Sequence, residues 1–137
     1  MTTKRQLWKR AIQKWQKRLL LSGYALTLVY EEREENSSPL VGGDWVAVAS
    51  AEAKPMYLRG RVKVAPSFLK DATPAEINAK AGHEMTHILL CQMDDFMRAL
   101  IEELPKAKQA GYWDWWHRVN EFTTTHVARV AGVPNGS

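Results

Sequence analysis

One cysteine, Cys91, stands in 137 residues, so no disulfide can form within the chain, and a reducing compartment is the simpler setting. Long apolar runs are lacking as well. Nothing approaches the ~20 residues that cross a bilayer, and no membrane span is expected. Acidic residues are missing from everything before Glu31, while Lys4, Arg5, Lys9, Arg10, Lys14, Lys17 and Arg18 crowd that segment. Leu19, Leu20 and Leu21 after these cations imitate a secretory signal. Ser22, Gly23 and Thr27 interrupt the apolar run, however, and Glu31, Glu32, Glu34 and Glu35 occupy the place of a small-residue cleavage site. A cytoplasmic protein is therefore expected. Internal repeats and long linkers are also lacking, so 1–137 reads as a single domain with only Asn135, Gly136 and Ser137 as a loose tail.

What is present is an ordinary globular balance. With 45% apolar and 25% charged residues the chain can bury a core, which sets it apart from disordered sequences. Leu7, Trp8, Ala11, Ile12, Trp15 and Leu19 fall on one side of a helix over 4–21, with the cations opposite and Gly23 as terminator. Residues 24–30 are rich in β-branched and aromatic types and read as a first strand, followed by a polar loop from Glu34 to Gly43. A second strand is expected from Asp44 to Ala53, broken by Pro55. A third runs from Met56 to Val64, with Arg61 and Lys63 facing water and Pro66 closing it. Thr73, Pro74 and Glu76 form an N-terminal capping signature, so a helix starts near Pro74. It runs through Asp94 and, continued or kinked, reaches Leu104 before Pro105. Gly111 restarts the pattern, and 112–131 form the last helix. The fold class is α+β: an N-terminal helix, a small, mostly antiparallel three-stranded sheet, then two helical stretches.

His83-Glu84-Met85-Thr86-His87 carries the chemistry. Histidines four apart project from one helix face and can bind one zinc ion through imidazole nitrogen. Glu84 lies beside the first histidine, where it can take a proton from water activated by the metal. Gly82 removes a side chain just before the site. A tetrahedral ion that keeps one position for water needs a third protein ligand. Asp94 returns to the histidine face, but two turns are about 10 Å along the axis, which makes it a supporting or helix-packing carboxylate. Glu121 on the last helix is the acidic candidate. His117, four residues earlier, shares its face and can act as ligand or as oxyanion donor. Cys91, one turn past His87, is either a further thiolate ligand or a buried small apolar group.

His83-Glu84-x-x-His87 followed downstream by Asn120-Glu121 resembles the gluzincin metallopeptidases, and the order of elements is similar to their smallest members, the minigluzincins. The resemblance implies a zinc-dependent endopeptidase with His83, His87 and Glu121 as ligands and Glu84 as general base. It also implies an extended peptide or protein substrate paired to the last strand, here Arg59 to Val64. An aspartate often follows the ligand glutamate by four residues in that family. Thr125 stands there, and its hydroxyl can accept a hydrogen bond from a ligand histidine.

For oxyanion stabilisation His117 is preferred, with Tyr112 and His126 as further candidates; His126 lies about 140° from Glu121 around the helix and reads as a surface residue. Trp113, Trp115 and Trp116 suit core packing better than a substrate pocket. The basic helix reads as a solvated face, with nucleic acid the lesser alternative because no base-reading motif accompanies it. The competing functional class is a non-catalytic, zincin-like module that binds a protein or nucleic acid.

Overall fold

The structure, a computed structural model, describes residues 1–32 and 48–132. The expected loop from Glu34 to Gly43, positions 44–47 of the expected second strand and the tail lie outside the described residues. The chain forms α1 (Lys4–Arg18), β1 (Ala25–Tyr30), β2 (Ala49–Lys54), a short 3-10 turn (Pro55–Tyr57), β3 (Arg59–Val64), α2 (Pro66–Asp71), α3 (Pro74–Leu89), α4 (Cys91–Glu102) and α5 (Lys106–Gly132). Among the described residues no helix is long and apolar enough to cross a membrane.

Capping starts α1: the Thr3 hydroxyl accepts from Gln6 N–H (3.1 Å), and the Gln6 side chain accepts in return from Thr3 N–H (2.8 Å). The helix ends at Arg18 rather than running to 21, and Gly23 is not its terminator. Leu20 N–H donates to the Lys17 carbonyl (3.1 Å) and Leu21 N–H to that of Gln16 (2.8 Å), the bond pair of a Schellman close. Leu20 holds the left-handed position at φ 59°. The buried face of α1, Trp8, Ile12 and Trp15, packs on α3. Burial of a side chain the size of Ile12 contributes roughly 1.5–3 kcal/mol.

The sheet has the order β1-β3-β2, with β1 parallel and β2 antiparallel to β3. It is mixed, in place of the mostly antiparallel sheet expected, because β3 returns between the two earlier strands. This also corrects the expectation that Arg59 to Val64 is the edge available to substrate. β3 is central, with Val62 and Val64 fully buried, β1 and β2 are the outer strands, and β2 is the one that lines the cleft. Composition agrees: β3 carries the branched core residues, whereas β2 alternates alanines with Ser50, Glu52 and Lys54, charged and polar types that suit an exposed edge. Gly60 in β3 is required by close approach. A Cβ there would lie 2.8 Å from Leu26 Cδ2 and 3.2 Å from Ile88 Cδ1, so its absence lets α3 settle on the sheet.

Pro66 closes β3 as expected but also opens α2 at its first turn, a helix too short to show periodicity. Thr73 caps α3 by accepting from Glu76 N–H at 3.1 Å. The expected continuation breaks at Leu90, so α3 and α4 are separate helices. Gly111 restarts nothing: α5 begins directly after Pro105 and runs through it. Across the back of α3, the Trp15 indole lies against Gly82, where a Cβ would fall 2.5 Å from the ring, and reaches Gly132 at the end of α5. Trp15 Nε1 donates to the Asn78 carbonyl (3.1 Å), which fixes the ring.

Two stability measurements follow. Leu20→Gly relieves a left-handed leucine that is 90% exposed, so chemical denaturation should show a gain of a few tenths to about 1 kcal/mol. Gly82→Ala forces the Trp15 ring to move and should lose about 1–3 kcal/mol by the same assay.

Candidate metal centre

The i, i+4 spacing of His83 and His87 on α3 places their rings edge to face with centroids 4.8 Å apart. From the opposite side α5 brings in Glu121. Its Oε2 lies 3.2 Å from His83 Nε2 and its Oε1 lies 3.1 Å from His87 Nε2. The three ligand atoms fall within 4.8 Å of one another, so the trio can hold a metal ion. Bond lengths of about 2.0–2.1 Å to a tetrahedral ion put neighbouring donors roughly 3.3–3.4 Å apart, close to the two histidine–carboxylate distances. The side chains are 18%, 19% and 29% exposed, accessible from solvent yet held by their helices.

Burial alone would raise the Glu121 carboxyl, but hydrogen bonds from His83 and His87 outweigh it and hold the group well below the usual carboxylate range. Burial opposes charge on His87 as well. The bond to Glu121 and the nearby Glu84 carboxylate prevail, and its value is raised. Glu84 is 4% exposed; burial pushes its carboxyl upward against the pull of His87 and His83.

A hydroxyl orients the second histidine. Thr124 Oγ1, fully buried, lies 3.3 Å from His87 Nδ1. When Nε2–H donates to Glu121, Nδ1 of a neutral ring accepts from the Thr124 hydroxyl; with Nε2 on a metal, the ring proton would sit on Nδ1 and donate to Thr124. Thr125 was expected in this role, and the structure gives it to Thr124 instead. Position 124 lies three residues after Glu121, about 60° around α5 on the side of His117 and Asn120, whereas 125 lies about 40° to the other side. The signal was available in the run His117, Asn120, Glu121, Thr124, which repeats along one helix face.

These groups line a cleft of about 460 Å³ whose other walls are Ala49 to Ala53 of β2, Cys91, Asp94, Asp95, Arg98, His117 and Asn120. His117 stands on its rim, exposed, and Glu121 rather than His117 completes the trio with the α3 histidines. Cys91 is buried with its sulfur 3.7 Å from the Tyr24 hydroxyl, outside the trio, and burial pushes its thiol up. Asp94 packs helices as expected: it accepts from Trp116 Nε1 (2.7 Å) on α5 and from Arg98 Nε (2.8 Å) on its own helix. Trp113 and Trp116 are half-buried, but Trp115 is 59% exposed, which overturns a core role for it. Tyr112 stacks on Trp115 and His126 on Phe122, and neither lines the cleft.

In comparisons with known proteins, no family model, curated protein or solved structure matches the chain.

Elemental analysis of the purified protein should find one divalent ion per chain, lost in His83→Ala and Glu121→Ala and retained in His117→Ala. Thr124→Val keeps the side-chain shape without the hydroxyl, and competition with a chromophoric chelator should show metal affinity weakened about 10–100-fold.

Proposed function

We propose that the chain is a zinc-dependent peptidase of the gluzincin type, built on the plan of the minigluzincins. The observation that carries this reading is the convergence of His83, His87 and Glu121 in one cleft with the buried Glu84 and the outer strand β2. Two imidazoles and one carboxylate suit zinc, and three protein donors leave a coordination position open, the arrangement of catalytic rather than structural sites. When bound, the ion supplies Lewis acidity, polarising an amide carbonyl and acidifying water.

The chain's own groups do the rest. Glu84 accepts the proton of the attacking water and passes it to the departing amine, so one carboxylate serves as base and then as acid. His117, from the rim, donates to the oxygen of the scissile carbonyl as negative charge develops there. The outer edge of β2, unpaired among the described residues, receives an extended substrate through backbone hydrogen bonds. Ala49, Ala51 and Ala53 line the cleft. Their small side chains leave the space between strand and α3 to the substrate.

Glu84→Gln is the test. With a quenched-fluorescent peptide library, the variant should keep the ion and the fold while kcat drops about 10²–10⁴-fold. Turnover undiminished in Glu84→Gln, or no cleavage by the metal-loaded wild type, would sink the proposal.

A further inference from the structure

The face of α5 that turns away from the cleft is apolar where a solvated helix would be charged. Tyr112, Trp115, Val119, Phe122 and Val130 are 45%, 59%, 41%, 75% and 62% exposed, and His126 lies in the same row. Their spacings of three, four, three, four and four confine them to roughly 80° of the helix circumference. The row extends about 27 Å, and its centre lies about 170° around the axis from the side holding His117, Glu121 and Thr124. Two stacked pairs order it: Tyr112 with Trp115 at 6.1 Å between ring centroids, and Phe122 with His126 at 6.3 Å.

From these observations we infer that α5 pairs antiparallel with α5 of a second copy through this row, forming a two-fold dimer that leaves both clefts open. The occupant follows from three features. The inner spacings of four, three and four make the row from Trp115 to His126 match its own reversed copy, the self-complementarity that a two-fold interface demands. With the axis between residues 120 and 121, Val119 meets the partner's Phe122, Trp115 meets the partner's His126, and Tyr112 meets the partner's Arg129. Area is adequate. Scaling 150–250 Å² per aromatic side chain by these exposures gives roughly 270–450 Å² per copy, and Val119 and Val130 bring the row to about 500 Å². Two copies with their rims then reach the ~1,000 Å² of a specific interface, and a patch of this size lies in the upper part of the ~300–600 Å² that the largest patch of a monomer usually covers. The charged pair beside the row does not oppose the contact. Asp114 and Arg118 beside the row already pair at 3.1 Å, so docking strands neither of them alone.

Sedimentation velocity on the full chain should return twice the mass of one copy, with a melting temperature that rises with protein concentration. Trp115→Lys and Phe122→Lys each place a cation on the two-fold face at exposed positions. Both should run as monomers with unchanged far-UV circular dichroism. The double variant Val119→Cys/Phe122→Cys should form a disulfide-linked dimer on mild oxidation, whereas Val119→Cys alone should not; the native Cys91 is buried. A wild type that stays monomeric at every soluble concentration, or a dimer that survives both lysine substitutions, overturns the inference. None of these readouts depends on peptidase activity.

Discussion

The contact of Trp15 with Gly82 governs how closely three helices approach. The indole occupies the space that a side chain at position 82 would fill and reaches Gly132, so α1, the motif helix α3 and the end of α5 share one ring. Its nitrogen is satisfied by Asn78, which removes the cost of burying an indole N–H without a partner. The geometry of the candidate metal trio depends on this packing because its two halves come from different helices. A shift of 1 Å between α3 and α5 would spoil histidine–carboxylate distances that now stand at 3.1–3.2 Å. Gly82 therefore acts on the side of α3 away from the site, beyond the absence of bulk before His83.

The cleft follows from strand order. Because β3 inserts between β1 and β2, the strand rich in buried valines is enclosed and the alanine-rich strand is left at the edge, beside α3. Gly60 lets Leu26 and Ile88 close over the centre of the sheet, so the helix lies low on β3. Alanines at 49, 51 and 53 then keep the adjoining wall shallow, and the open volume falls where His83, Glu84 and His87 emerge. Asp94 ties α4 to α5 across the far end through Trp116, an anchor for Glu121 that does not draw on the core.

What was legible in the sequence was local. His83 and His87 share a face by spacing alone, Thr73 and Pro74 announce α3, and Lys63 and Arg61 alternate with valines as a half-exposed strand must. Pairing order was not legible, since the choice between an antiparallel meander and β1-β3-β2 is made by contacts across the sheet. Breakers misled in both directions. Gly111 sits inside α5 because a glycine costs only about 1 kcal/mol against a helix anchored at both ends. Gly23 was passed over because Leu20 took the left-handed position first, while α3 and α4 separate at Leu90 with no glycine or proline to mark the break. Glu121 was found through its pairing with Asn120, but the orienting hydroxyl was assigned one residue too late, because a four-residue offset was carried over where the face of α5 required three.

The tryptophans of α5 show why burial was harder to read than helicity. A helix with one apolar stripe buries it, and three tryptophans in four positions imply such a stripe. In α5 the side toward the protein carries His117, Asn120, Glu121 and Thr124, polar groups that line the cleft or orient a ligand, with Trp113 and Trp116 turned toward α4. Its inner side is thus largely polar and supplies little apolar anchorage. The remaining aromatics stand on the other side, so the outward row of α5 is the complement of the inward site. A helix that contributes a candidate ligand to a cleft and an apolar row to the outside would be held from both directions once that row is covered, and the proposed α5 pairing would in this way support the position of Glu121.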